Sequence, residues 1–77
     1  MRPEEIKLIR DYEPFAPFRL IFTDGREFEI KQRDHLFITR HSLSIAVEIN
    51  PITGIPEEAI RASPLRVVRI EIPRKVA

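Results

Sequence analysis

The fold is decided by residues 18–30, FRLIFTDGREFEI. Large apolar side chains occupy every second position on both sides of a central Asp-Gly pair: Phe18, Leu20, Phe22, Phe28 and Ile30. A period of two places such residues on one face of a β-strand. Two runs of this kind separated by a short Asp-Gly segment are typical of a β-hairpin. The stretch therefore predicts a hairpin with one apolar face.

The facing of the side chains predicts the length of the hairpin loop. A two-residue loop turns Phe28 away from the other apolar residues, because a shift of one residue moves a whole strand to its other face. A three-residue loop over residues 23–25 sets Leu20 opposite Phe28 and Phe18 opposite Ile30. The glycine that ends this loop suits the left-handed position of a bulged turn. The three-residue loop is the prediction.

An α-helix is predicted before the hairpin, over about residues 3–12. Pro3 suits the first helical position, and the two glutamates that follow it complement the positive end of the helix dipole. Helical spacing gathers four apolar residues on one broad face: Ile6, Leu8, Ile9 and Tyr12. The helix must end by Glu13, because Pro14 disfavours the α conformation in the residue before it.

Further strands are predicted after the hairpin. Residues 36–39 form a short strand, and residues 43–49 show the clearest alternation in the chain. Residues 56–62 begin with residues typical of a helix start, but the segment is long enough for less than two helical turns. A strand is therefore favoured, and a short helix is the alternative. Residues 67–72 alternate again, with Val67 on one face and three apolar residues on the other: Val68, Ile70 and Ile72.

One helix followed by five or six short strands predicts a mainly-β fold, in which an antiparallel sheet curls into a partly open small barrel over about residues 18–72. Residues 1–77 are expected to form a single domain. Parallel α/β enzyme classes are excluded, because they require crossover helices. Two glycines are too few for a phosphate-binding loop.

The composition excludes several further classes. A chain with 43% hydrophobic and 32% charged residues should fold in water, and the absence of cysteine excludes disulfides and thiolate zinc sites. No apolar run reaches the roughly 18 residues of a membrane span, and the N-terminus lacks the pattern of a signal peptide. We therefore expect a cytoplasmic protein without a membrane partner. Its small core favours association with another copy.

The net charge of +1 hides an uneven distribution. Residues 1–60 carry a net charge of −3, and residues 61–77 carry a net charge of +4. A basic segment of this kind is a candidate surface for anions such as nucleic acid. Its candidate contacts are Arg61, Arg66, Arg69, Arg74 and Lys75.

The reactive side chains do not form a recognisable catalytic or metal-binding pattern. Asp34 and His35 are adjacent, but neither Ser42 nor Ser44 is flanked by the small residues that form the tight turn around a catalytic serine. His35 and His41 lack the spacing of paired zinc ligands. We expect no catalytic residues, no metal and no cofactor, and therefore not an enzyme.

Two segments carry a resemblance to known proteins, PFAPFRLIFTDGREFEI at residues 14–30 and LRVVRIE at residues 65–71. With them the chain resembles a group of short uncharacterised bacterial proteins that share a Pro-Phe-x-Pro-Phe and Asp-Gly-Arg hairpin pattern. More distantly it is similar to SH3-like and Sm-like small β-barrels, the latter of which bind RNA. The glycine in the second strand and the Arg-Gly pair before the last strand of Sm-like proteins have no counterpart here.

Two functional hypotheses follow. The first is a non-catalytic module that binds a protein partner or forms a homo-oligomer. The sequence supports it because the apolar core is regularly patterned and no reactive side chains converge on one site. The alternative is an Sm-like protein that binds nucleic acid through the basic C-terminal segment. Among the aromatic residues, only Tyr12 and Phe37 are left over for stacking on bases.

Overall fold

The structure is a computed structural model that describes residues 1–73. Two of the candidate anion contacts, Arg74 and Lys75, lie outside the described residues. The elements in chain order are α1 (Pro3–Arg10), β1 (Phe18–Phe22), β2 (Glu27–Ile30), β3 (Leu36–Ile38), β4 (Leu43–Ile49), β5 (Pro56–Ala62) and β6 (Val67–Glu71). Short 3₁₀ turns at Arg33–His35 and Pro64–Arg66 precede β3 and β6. The strand interpretation of residues 56–62 is confirmed.

The strands form two three-stranded antiparallel sheets, with the orders β2-β1-β6 and β3-β4-β5. Both sheets and α1 contribute to one cluster of buried side chains: Ile6, Phe18, Leu20, Phe22, Ile30, Leu36, Leu43, Ile45 and Val67. The mainly-β antiparallel class is confirmed. The described residues form two packed sheets and show no closed barrel.

The hairpin of β1 and β2 has the predicted loop and register. Phe18 lies opposite Ile30 and Leu20 opposite Phe28. The N–H of Phe22 donates to the carbonyl of Arg26 at 2.9 Å, so this pair closes a loop of three residues. Gly25 has a φ of 87°, a conformation in which a side chain would be strained. The alternation of apolar residues therefore determined the pairing correctly, because only this register buries one face of both strands.

The predicted facing of β6 is wrong at its start. Val67 is buried in the core and Val68 is exposed, which reverses the prediction for both residues. The register between β1 and β6 shifts between Ile21 and Phe22, so that Phe22 lies opposite Val67 and Ile21 opposite Arg69. The bulge leaves Val68 unpaired, and the side chain of Val67 therefore lies on the opposite face of the sheet from the one predicted.

Helix α1 is shorter than predicted and buries a narrower face. It ends at Arg10 rather than near residue 12, and Ile6 is its buried residue while Ile9 is half-buried. Leu8 is 73% exposed and Tyr12 is 67% exposed, so only part of the predicted apolar face is buried. An eight-residue helix makes about two turns, and packing on one side of two turns covers a single row of side chains.

Arg33 joins the end of α1 to the turn before β3. Its Nε donates a hydrogen bond to the carbonyl of Arg10 at 3.0 Å, and its Nη2 donates to the carbonyl of Tyr12 at 3.1 Å. The same nitrogen lies 3.1 Å from Oε1 of Glu13, and the guanidinium lies over the ring of Phe15 at 5.4 Å. A single side chain thus satisfies one of the carbonyls that the helix leaves unpaired at its C-terminal end and a second carbonyl two residues further along the chain.

Asp11 follows α1 and binds two cations of the helix. Nε of Arg10 and Nζ of Lys7 each donate a hydrogen bond to its carboxylate at 2.8 Å. These side-chain hydrogen bonds, that of Arg10 first, hold the pKa of Asp11 well below its usual value. Arg10 also donates a hydrogen bond to the carbonyl of Leu36 at 3.0 Å, which ties the helix end to β3.

Glu48 is the one position of residues 1–73 other than glycine with a positive φ, which is 53°. It lies near the end of β4, where the register to β5 continues from Val47 to Ile49. A left-handed conformation crowds the Cβ atom of an L-residue against the backbone. Glu48 is therefore a point of backbone strain in the longer sheet.

Glu48→Gly is expected to raise the free energy of unfolding by up to about 1 kcal/mol. Removal of the Cβ atom relieves a left-handed residue of about 1–2 kcal/mol of strain, and the added freedom of glycine in the unfolded chain offsets about 0.5–1 kcal/mol of that gain. Urea unfolding followed by circular dichroism measures the change. Glu29→Gly, in the regular strand β2, is the matched control and should lower stability by about 0.5–1 kcal/mol. A loss of similar size in both variants would contradict the prediction.

Candidate interaction surfaces

The longest open sheet edge belongs to β5. Its seven residues are exposed except for Ile60 and Ala62, which are half-buried. The other edge strands are β3 with three residues, β2 with four and β6 with five. At the start of β6 the amino group of Met1 donates a hydrogen bond to the carbonyl of Val67 at 2.8 Å. Among the described residues, β5 offers the longest row of backbone groups for another strand.

The backbone groups that face outward from β5 follow from the alternation of an antiparallel ladder. The N–H of Thr39 donates to the carbonyl of Ser42 at 2.9 Å. Because of this bond, the N–H and C=O groups of Ser42 and of the even-numbered residues at the start of β4 point toward β3. The N–H and C=O groups of the odd-numbered residues of this segment point toward β5. One of these odd-numbered residues pairs with Ile60. The N–H and C=O groups of Ala59 and Arg61 therefore point to the open edge.

Two opposite charges flank a small residue on this edge. Glu57 and Arg61 are exposed and lie two positions on either side of Ala59. They share the outer face of the sheet, since Ala62 packs against the core from the other face. The carboxylate of Glu57 accepts a hydrogen bond of 3.3 Å from the side chain of Asn50. Within residues 1–73 neither Glu57 nor Arg61 forms an ion pair, so both charges are available to a partner.

A shallow groove of about 390 Å³ lies on the same outer face, beside β5. Its floor includes the small side chains of Ser44, Ala46 and Ala59. Phe37 of β3 lines it and is 65% exposed, which agrees with the prediction that this aromatic residue stays outside the core. Because these side chains are small, a ligand or a partner chain can approach the backbone of β4 and β5 closely.

The described candidate anion contacts lie on different elements. Arg61 is on β5, Arg66 is in the turn before β6, and Arg69 is on β6, which belongs to the other sheet. Nε of Arg69 lies 3.0 Å from a carboxylate oxygen of Glu71, and Arg19 lies 3.3 Å from the same carboxylate. The charge of Arg69 is therefore already paired on the surface of its sheet, and nucleic-acid binding through this set stays a prediction.

A cleft of about 480 Å³ separates the edge of β2 from the end of β4. Glu27, Glu29 and Glu48 lie on its walls, and His35 lines it at 7% exposure. Nδ1 of His35 is buried and has no hydrogen-bond partner among the described residues. Lys31 also lines the cleft, so the cleft presents a mixture of acidic and basic side chains to a ligand.

The serine and histidine residues of this region either make a structural contact or make no contact that indicates a function. The hydroxyl of Ser42 lies 2.7 Å from Oγ1 of Thr39, within the loop that joins β3 to β4. Among residues 1–73, no group of three or more His, Cys, Asp or Glu side chains is placed to hold a metal ion. The expectations of no catalytic residue and no cofactor stay predictions.

A second apolar surface lies on α1. Leu8, Tyr12 and Ile72 are exposed, and together with Ile9 and Ala16 they line a hollow of about 270 Å³. This surface is a consequence of the narrow buried face of the helix.

The sequence prediction named Arg61 but missed the edge on which it lies. The missed signal is the order of residues 57–61, EEAIR, which sets opposite charges symmetrically about an alanine. This order has meaning only if residues 56–62 form an edge strand, and the sequence left helix and strand open.

No helix among the described residues is long and apolar enough to cross a membrane. Comparisons of the chain with protein-family models, with curated proteins and with solved structures find no match.

Proposed function

We propose that the protein is a non-catalytic interaction module that binds a second copy of itself by strand addition at the β5 edge. The observation that carries the proposal is the seven-residue edge of β5, in which the backbone groups of Ala59 and Arg61 point outward. An added strand gains main-chain hydrogen bonds at such an edge, and this is a recurring mode of protein association.

The side chains of β5 support a second copy as the partner. Charged residues on an edge strand commonly oppose pairing with other chains. Here the two outer-face charges are opposite in sign, so an identical strand that runs antiparallel offers each charge its complement. The proposal also includes a relationship of the two-sheet fold to SH3-like and Sm-like small barrels and a cytoplasmic location. The strand order after an N-terminal helix supports the first, and the lack of cysteine supports the second.

Ala59→Pro is expected to make the protein monomeric. Proline removes the outward N–H of residue 59, and an edge strand tolerates proline because this group has no partner within residues 1–73. Sedimentation equilibrium between about 10 μM and 1 mM protein should show a concentration-dependent dimer for the unsubstituted chain and a monomer for the variant. Ala59→Thr keeps the N–H and is the matched control, which should still form a dimer.

Circular dichroism must show the same folded spectrum for the two variants. An unsubstituted chain that stays monomeric over the whole concentration range would overturn the proposed function. A dimer that persists in Ala59→Pro would show that another surface joins the copies, and the hollow on α1 with Leu8 and Tyr12 would then be the surface to substitute.

A further inference from the structure

Resting on the proposed function, we infer a single register for the pairing of two copies. The two β5 strands pair antiparallel about a two-fold axis through Ala59, so that Glu57 of each copy lies opposite Arg61 of the other. Ala59 is the middle residue of the strand Pro56–Ala62, and all seven residues of each strand are then paired.

The backbone limits the choice of register. The outward groups are the N–H and C=O of Ala59 and Arg61 and the carbonyl of Glu57, and hydrogen-bonded pairs must join outward groups to outward groups. The N–H of Glu57 points toward β4, because Pro56 has no N–H and its pairing with Ile49 depends on the flanking bonds, one of which runs from Asn50 N–H to the carbonyl of Ile55 at 3.0 Å. A two-fold axis at residue 58, 59 or 60 satisfies this condition. Only the axis at Ala59 uses all three positions of both strands, with Ala59 opposite Ala59 at the centre. It gives hydrogen bonds from each Ala59 N–H to the other Ala59 carbonyl and from each Arg61 N–H to the carbonyl of Glu57.

The charges select the same register. With the axis at Ala59, two Glu57 to Arg61 pairs form on the outer face, and directly opposite side chains in such a ladder have Cβ atoms about 4.5–5.5 Å apart. An axis at Glu58 sets two Glu58 carboxylates directly opposite each other, which is unfavourable. An axis at Ile60 places Arg61 opposite Ala59 and pairs no charges. Backbone direction and charge therefore agree on one arrangement.

The dimer has a six-stranded sheet with the order β3-β4-β5-β5-β4-β3. The same patch serves both copies, so the assembly closes at two and does not continue as a fibre. The outer-face grooves of the two copies become neighbours across the axis, and their common floor is formed by the small side chains of Ala46 and Ala59.

Charge reversal tests the register. Glu57→Arg places two arginines opposite each other at both ends of the pairing, and Arg61→Glu does the same with two glutamates. We expect each single variant to form its homodimer about ten- to thirty-fold more weakly than the unsubstituted chain. An equimolar mixture of the two variants should form a heterodimer within about threefold of the original affinity, because every pair is then oppositely charged. The double variant should recover its homodimer to the same degree.

The outcomes separate the register from the proposed function. If Ala59→Pro abolishes the dimer but neither the mixture nor the double variant recovers affinity, the register is overturned and strand addition at β5 stands. If the unsubstituted chain forms no dimer, the proposed function itself fails. Both substituted residues are exposed, and thermal unfolding of each variant at low protein concentration should match that of the unsubstituted chain.

Discussion

Phe18→Ala is expected to leave most of the protein unfolded at 25 °C. Phe18 is fully buried, lies opposite Ile30 in the hairpin, and packs edge-on against Phe15 with ring centroids 6.1 Å apart. Truncation of a buried phenylalanine removes about 3–5 kcal/mol through lost transfer free energy and the cavity left behind. A domain of this size gains only about 3–5 kcal/mol from its core, so the loss equals the whole stability.

Circular dichroism and urea unfolding measure this effect. The variant should lose the β-sheet spectrum and the cooperative transition that the unsubstituted chain shows. Phe37→Ala is the matched control, because Phe37 is also on a strand but is 65% exposed. Its free energy of unfolding should change by less than about 0.5 kcal/mol. A cooperative transition near the original urea midpoint in Phe18→Ala would show that the sheets can repack without this ring.

Arg33→Ala is expected to lower the free energy of unfolding by about 2–3 kcal/mol. The guanidinium donates to the carbonyls of Arg10 and Tyr12, and hydrogen bonds to charged groups contribute about 1.5–3 kcal/mol each where they are shielded from solvent. Partial exposure of Arg33 reduces that sum. The packing of its stem and guanidinium over Phe15 adds to the loss, because an arginine side chain also covers apolar surface.

Arg33→Lys separates the geometry from the charge. A lysine keeps the positive charge near Glu13 but has no planar fork to reach two carbonyls, so it should recover less than half of the loss. Arg40→Ala, at an exposed position in the loop between β3 and β4, is the control and should change stability by less than about 0.5 kcal/mol. Urea unfolding gives the free energies. Amide hydrogen exchange measured in Arg33→Ala should be accelerated more in α1 than in β4. Equal stability of the alanine and unsubstituted proteins would contradict the assigned role.

The sequence predicts those parts of the fold that depend on alternation between near neighbours. The hairpin register was predictable because five large apolar residues had to share one face and only one loop length allows this. The strand at residues 56–62 was favoured for a related reason, since the segment is too short for a stable helix. Both arguments need only residues close in sequence.

The parts that the sequence did not predict depend on contacts between distant segments. The bulge that buries Val67 arises where β6 meets β1, and nothing within β6 indicates it. Leu8 and Tyr12 look like core residues by spacing, but the two sheets leave room for only one row of α1. Arg33 reaches back to the helix from a turn more than twenty residues away, which a sequence pattern does not reveal.

The candidate site was only partly predictable for the same reason. Arg61 was singled out for its charge, yet the feature that gives it a role is its position on an open edge. That position depends on the order β3-β4-β5, in which no other strand of the described residues lies on the outer side of β5. Strand order is a property of the whole fold, so Glu57 and Ala59 could not be identified beforehand.

The pairing of β6 with β1 determines where the entropic cost of folding is concentrated. The sheet of β3, β4 and β5 connects strands that follow one another, so its loops close cheaply. The other sheet joins Arg19 to Glu71, which are 52 residues apart in the chain. Long-range pairing of this kind must overcome a larger loop-closure entropy before any contact compensates for it. The two sheets are alike in strand number and direction, but one assembles from local hairpins and the other is complete only when the two ends of the fold meet.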